Sequence, residues 1–179
     1  MLLDDTDRVL ITKEQLAARV AELGKQISAD YAGKTPVLVC TLKGAFTFFA
    51  DLTRAIDIPV TTDFVAASSY GSGAVSGGSV QLRKDLDHSI LGRDVIIVED
   101  IIDTGITLQA LADVMQARKP NSLRICCCLD KPSRRRNGLK ADYVGFEIPN
   151  EFVVGYGLDY NELYRNLDAV YVLKHSIYE

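Results

Sequence analysis

Three short runs of the chain carry no polar side chain at all: Val37-Leu38-Val39, Val95-Ile96-Ile97-Val98 and Ile125-Cys126-Cys127-Cys128-Leu129. A strand with one wet face alternates apolar and polar residues, so a strand apolar throughout is covered on both faces. The runs predict buried strands over 36–41, 95–98 and 123–129. Helical spacing fills the intervals. Thr12, with Gln15 three residues on, reads as a capping box. Leu16, Val20, Leu23 and Ile27 then mark a helix over 13–31, closed near Gly33. Further helices are expected over 44–56 and 104–118, the latter with Leu108, Leu111, Ala112 and Met115 on one face. Strands over 60–69 and 80–84 flank the Gly/Ser-rich stretch 70–79, which reads as the mobile loop of a long hairpin. Shorter strands are expected over 143–148, 152–156 and 169–173. This alternation predicts an α/β fold with a central, mostly parallel sheet flanked by helices. Ligands of such sheets sit at the carboxyl ends of the strands.

Bulk properties narrow the function. A chain of 179 residues with 47% hydrophobic and 25% charged side chains fits one soluble globular domain. Its net charge of −4 and pI near 5.2 argue against a nucleic-acid partner, which would usually require a basic face. Neither a signal peptide nor a membrane-length apolar run is legible, so a cytoplasmic protein without a membrane partner is expected. Cys40, Cys126, Cys127 and Cys128 suit neither a disulfide framework nor metal spacing and read as buried thiols. Arg134-Arg135-Arg136 reads as a solvated or interface surface. Ala32-Gly33-Lys34-Thr35 lacks the first glycine of a P-loop, and the glycines at 71, 73, 77 and 78 do not spell a dinucleotide fingerprint.

One stretch has both the context and the chemistry of a site: Val95-Ile96-Ile97-Val98-Glu99-Asp100-Ile101-Ile102-Asp103-Thr104-Gly105-Ile106-Thr107. It runs from strand through loop to helix. Amides at a helix start lack helical partners and lie at its positive end, where an anion is favoured. Thr104 and Thr107 add hydroxyls, and Gly105 permits close approach. A helix cap alone would explain one of these residues. It would leave Glu99 and Asp100 unexplained, since charges at the end of an apolar strand need partners. Sugar hydroxyls and a divalent metal fit them. A phosphate, a vicinal diol and a metal together describe a ribose 5-phosphate.

The same stretch resembles the phosphoribosyl pyrophosphate signature of the type I phosphoribosyltransferases, in wording closest to their hypoxanthine-guanine branch. Leu42-Lys43-Gly44 is similar to that family's pyrophosphate loop, and Ser69-Tyr70 to the start of its flexible loop. Lys131 and Phe152-Val153-Val154-Gly155-Tyr156-Gly157-Leu158-Asp159-Tyr160 are similar to its purine-binding hood. Arg165 falls in the matching Asn-Glu-Leu-Tyr-Arg-Asn-Leu context.

The resemblance implies one phosphoribosyltransferase domain over 1–179. Its core would span about 34–145, its hood would come from the N-terminal segment and about 146–179, and its flexible loop would span about 69–80. It implies a magnesium-dependent transferase that joins hypoxanthine or guanine to phosphoribosyl pyrophosphate, giving IMP or GMP and pyrophosphate. Glu99 and Asp100 would hold the ribose hydroxyls, partly through magnesium, and Asp103 would accept a proton from N7 of the purine. Asp103, Thr104, Gly105, Ile106 and Thr107 would cradle the 5-phosphate. Leu42, Lys43 and Gly44, with a cis Leu42–Lys43 peptide, and Arg165 would bind pyrophosphate. Lys131, Phe152, Val153 and Asp159 would surround the base, with Asp159 also holding a second magnesium. A homodimer or homotetramer is implied. Without the resemblance, Lys131 reads as one more exposed cation and Phe152 as a core aromatic. Two other readings share the motifs: a regulator of the same fold that senses phosphoribosyl pyrophosphate or nucleotides, and a transferase preferring xanthine.

Overall fold

A computed structural model describes residues 2–69 and 80–178. Six strands form the main sheet: β2 (Val37–Thr41), β3 (Thr61–Ser69), β4 (Val80–Lys84), β5 (Asp94–Ile102), β6 (Ser122–Asp130) and β7 (Tyr143–Glu147). Their order is β4-β3-β2-β5-β6-β7. All neighbours are parallel except β4, which returns antiparallel to β3 as the hairpin reading requires. Val37 pairs with Val95 and Val95 with Leu123, so the three apolar runs lie side by side.

Strand alternation then divides their side chains between two cores. Leu38, Cys40, Ile96, Val98, Cys126 and Cys128 pack under Leu16, Val20 and Leu23 of α1 (Lys13–Asp30) and Phe48 and Leu52 of α2 (Phe46–Ala55). Val37, Val39, Val95, Ile97, Ile125 and Cys127 pack under Leu108, Leu111 and Met115 of α3 (Ile106–Ala117). Each fully buried aliphatic side chain contributes about 1.5–3 kcal/mol. The capping box at α1 is formed: Gln15 N donates to Thr12 Oγ1 at 3.2 Å, and Thr12 N donates to Gln15 Oε1 at 2.8 Å.

A second, three-stranded antiparallel sheet has the order β1-β9-β8, from β1 (Thr6–Ile11), β8 (Val153–Val154) and β9 (Val170–Leu173). It joins one early strand to two late ones and is followed by the short helix α4 (His175–Tyr178). Five elements depart from the sequence expectations. β1 was not expected, because Thr6-Asp7-Arg8 has no strand-like pattern and its pairing partner is remote in sequence. β5 runs on through Glu99 and Asp100 rather than stopping at Val98. Helices α2 and α3 each begin two residues later than the pattern suggested. The strand expected over 152–156 is only Val153–Val154, because Gly155, Tyr156 and Gly157 have φ of 93°, 52° and 100°, outside β space.

Candidate active site

The loop after β5 reaches α3 through Gly105, whose φ of 78° and ψ of −3° are left-handed. Because α3 starts at Ile106, Thr104 and Gly105 belong to the loop. Ile106 N leans on Thr104 Oγ1 at 3.4 Å, and Gln109 N closes the first turn on Gly105 O at 2.9 Å. A cavity of about 170 Å³ is lined by Glu99, Asp103, Thr104, Gly105, Thr107 and Leu108. This is the place where the sequence put an anion.

An adjoining cavity of about 250 Å³ gathers Leu42, Lys43, Gly44, Glu99, Asp100, Thr107, Asp159 and Arg165. Glu99 and Thr107 border both cavities, so a single ligand could span them. The Leu42–Lys43 peptide is cis. A Cβ at Gly44 would overlap the Asp100 carboxylate, which would have to move to admit it. Glu99 Oε1 accepts from Thr41 Oγ1 at 2.7 Å and from Asp100 N at 3.1 Å. Burial holds the Glu99 carboxyl well above its ordinary range, and the Asp100 charge pushes the same way. Burial also raises Asp100, although hydrogen bonds and the charge of Arg165 oppose it. The charge of Arg165 thus offsets only part of what burial does to the pair.

Cations of this cavity are held by carboxylates. Lys43 Nζ pairs with Glu162 Oε2 at 2.8 Å, and Arg165 Nη2 pairs with Asp159 Oδ1 at 2.8 Å. Arg165 Nη1 donates to Gly157 O at 2.8 Å, while its buried Nε has no hydrogen-bond partner among the described residues. A buried donor without a partner is costly, and an acceptor anion would remove that cost. Asn161, Glu162 and Tyr164 all have positive φ, near 50°, 64° and 75°. Such non-glycine outliers collect at ligand sites. Among the described residues, no group of three or more His, Cys, Asp or Glu could hold a metal alone. Magnesium commonly takes one or two carboxylates and completes its shell with water and substrate phosphates. The carboxylates of Glu99, Asp100 and Asp159 in one cavity suit that mode.

Lys131 follows β6 and is buried, 7% exposed, which contradicts the reading of an exposed turn cation. Its N–H donates to Ile102 O at 2.9 Å. Burial lowers its ammonium pKa from the ordinary lysine value, against the raising effect of the Asp103 charge. Phe152 is not a core residue. It stacks on Tyr178 at 4.8 Å and 22°, meets Tyr160 edge-on at 5.6 Å, and is 37% exposed. Val153 is buried in β8, which among the described residues pairs with β9 alone and so forms an edge of its sheet. Lys131, Phe152 and Val153 do not line the two cavities above. Ser69 ends β3, and Tyr70 with the rest of the expected loop lies outside the described residues.

Sequence reasoning missed several partners. Arg134 Nε pairs with Asp103 Oδ1, and Arg135 is largely buried in an ion pair with Asp130. The triple arginine is therefore no uniform solvated surface. Its one signal was position: it directly follows Lys131. Thr41 and Glu162 gave no signal, because each matters through a partner distant in the chain.

The chain is similar to known proteins over nearly its whole length. Residues 10–161 match the family model of the phosphoribosyl transferase domain. The hypoxanthine-guanine phosphoribosyltransferase of Streptococcus thermophilus (strain CNRZ 1066) is 51% identical over 178 residues, covering 99% of each chain. That of Bacillus subtilis (strain 168) is 49% identical and covers 100% of this chain and 99% of its own. A crystal structure of a hypoxanthine phosphoribosyltransferase from Staphylococcus aureus superposes with a TM-score of 0.96 at 48% identity, covering 99% of this chain and 97% of that one.

Proposed function

The chain belongs to the phosphoribosyltransferase family, and from that premise we propose a purine-salvage reaction in which hypoxanthine or guanine displaces pyrophosphate from phosphoribosyl pyrophosphate. The enzyme is a pentosyltransferase, and its products are IMP or GMP and pyrophosphate. The observation that carries the reading is the adjacency of an anion cradle and a cation-bearing cavity that share Glu99 and Thr107. One ligand with a phosphate at each end of a ribose suits them.

In this reading the amides of residues 104–107 and the Thr104 and Thr107 hydroxyls hold the 5-phosphate, with Asp103 and Ile106 completing the cradle. Glu99 and Asp100 orient the ribose hydroxyls. Leu42, Lys43, Gly44 and Arg165 bind pyrophosphate, with Lys43 and Arg165 exchanging their carboxylate partners for it. Lys131 donates to the 6-oxo group of the base, Phe152 offers a ring face, and the edge of β8 at Val153 offers backbone groups. Asp103 takes the proton from N7 as the bond forms at N9, and fixed cations stabilise the leaving group. Ser69 and Tyr70 begin a segment that excludes water from the activated sugar. Magnesium, one ion at Glu99 and Asp100 and a second at Asp159, would neutralise pyrophosphate charge when bound. The assembly is a homodimer or homotetramer, which light scattering would check.

Full-length relatives named for the transferase disfavour a sensing regulator. The deciding experiment mixes protein, magnesium and phosphoribosyl pyrophosphate with hypoxanthine, guanine, xanthine or adenine and follows ultraviolet absorbance. Turnover of the first two with adenine inert supports the reading. Binding of phosphoribosyl pyrophosphate with no turnover of any base would favour the regulator, and preference for the third would make xanthine the substrate.

A further inference from the structure

Four successive carbonyls, from the last residue of β5 through the phosphate loop, are engaged by one other segment, residues 131–137. Ile102 O accepts from Lys131 N at 2.9 Å. Asp103 O accepts from Arg135 Nε at 3.2 Å. Thr104 O accepts from Arg136 N at 3.0 Å. Gly105 O accepts from Asn137 Nδ2 at 3.0 Å. In a trans peptide the N–H points opposite to the C=O of the same unit. Carbonyls of 103, 104 and 105 turned into this segment therefore turn the N–H groups of Thr104, Gly105 and Ile106 away from it. The cavity of about 170 Å³ is lined by the end of β5, the loop and the first turn of α3, and by no residue of 131–137.

We propose that Asn137 and Arg135 are positioning residues for the phosphate loop, holding its carbonyls back so that its amides face the 5-phosphate. The assignment rests on the reading given under Proposed function and adds residues outside the cradle itself. Arg135 is fixed for this task. It is ion-paired with Asp130 and donates to Leu139 O at 2.6 Å as well as to Asp103 O. Asn137 is fixed too, because its Oδ1 accepts from Leu139 N at 3.2 Å. That bond orients the amide so that Nδ2 faces Gly105. The fit is close: a Cβ on Gly105 would lie 2.6 Å from Asn137 Oδ1. A glycine peptide can flip at little steric cost. A flip at Gly105–Ile106 would present a carbonyl to the phosphate; Asn137 Nδ2 opposes it together with the helical bond from Gln109 N.

The other side of the segment borders a cavity of about 440 Å³ lined by Asp130, Arg135, Asn137 and Leu139. Substitution at Asn137 therefore has room to relax without disturbing a core.

The test is calorimetric titration of magnesium phosphoribosyl pyrophosphate into wild type, Asn137→Ala and Asn137→Asp, with steady-state kinetics alongside. Loss of one hydrogen bond predicts about five- to tenfold weaker binding for Asn137→Ala. Asn137→Asp keeps the shape but replaces the donor with an acceptor facing Gly105 O, so its binding should be weaker still. The KM for phosphoribosyl pyrophosphate should rise with the Kd, and the KM for hypoxanthine should not follow. A packing role predicts the opposite order, with the aspartate nearer wild type. Should Asn137→Ala fail to fold, Asn137→Ser, too short to reach Gly105 O, carries the same expectation. Binding within twofold of wild type in the alanine or serine variant, or an aspartate variant no weaker than alanine, would overturn the assignment. Wild type that neither binds phosphoribosyl pyrophosphate nor forms nucleotide would instead remove the underlying reading, and this one with it.

Discussion

Arg134 Nε lies 2.9 Å from Asp103 Oδ1, so the proposed proton acceptor already holds a cation on one oxygen. The pair is exposed on both sides, and such pairs contribute about 0–1 kcal/mol. Asp103 can therefore leave it at small cost to meet N7 of a base. Asp103→Asn should lower kcat by about 10²–10⁴, the range for a positioned base. The KM for phosphoribosyl pyrophosphate should change little. Steady-state kinetics with wild-type turnover in this variant would take Asp103 out of the chemistry.

Lys131 should decide which purine is accepted. Its buried ammonium is a donor only, and the 6-amino group of adenine is a donor as well. Lys131→Met removes the donor while keeping most of the stem. Its kcat/KM for hypoxanthine should fall by about 10² or more, as sites built around one hydrogen bond lose when it is removed. Measuring the variant with hypoxanthine and adenine in parallel gives the discrimination directly. An unchanged ratio between the two bases would locate the choice elsewhere.

The acid pair should trade stability for function. The Glu99 carboxyl is raised by burial and by Asp100. Above the ordinary value of 4.5 the native state then binds more protons than the unfolded state. Its stability contribution is full below that value and is lost as pH rises through the folded pKa. Glu99→Gln keeps an acceptor for Thr41 and removes the charge. At pH 7.5 it should be more stable than wild type by about 0.5–2 kcal/mol, a size common for such substitutions. That gain should shrink toward pH 4.5, while nucleotide formation falls. Denaturant melts at several pH values test it, and a pH-independent difference would contradict it.

All four cysteines are buried and unpaired with one another. Burial pushes the Cys40 thiol up to about 12 and raises Cys126, Cys127 and Cys128 further above the ordinary range. Thiolates are the reactive form. Iodoacetamide at pH 8 should label none of them in the folded protein and all four in denaturant, as read by mass spectrometry. Labelling of native protein on the timescale of the denatured control would show that the sheet opens.

The sequence made the main sheet legible because both its faces are covered. An apolar run such as Val95-Ile96-Ile97-Val98 leaves few alternatives to a buried strand. The anion loop was legible for a related reason, since the strand, Thr104-Gly105 and helix are contiguous. What stayed hidden depends on contacts between distant segments. β1 reads as a polar leader until β9 supplies its partner. Lys131 reads as solvated until the fold buries it. Arg135 and Asn137 act on carbonyls some thirty residues earlier, and hydrogen bonds to backbone carry no composition signal. The extent of β5 was underestimated because charges usually mark a strand's end, whereas here β5 continues past them.

The pairing of β1 with β9 closes one long loop, Thr6 against Leu173. Closing such a loop from the unfolded chain costs more entropy than pairing neighbouring segments, although the cost grows slowly with length. The small sheet also shares a core with the main one: Val153, Val170 and Val172 pack in the same cluster as Leu38, Ile96 and Phe48. A folded main sheet therefore brings the two remote strands within reach of each other, and the stability of the small sheet is tied to that of the large one.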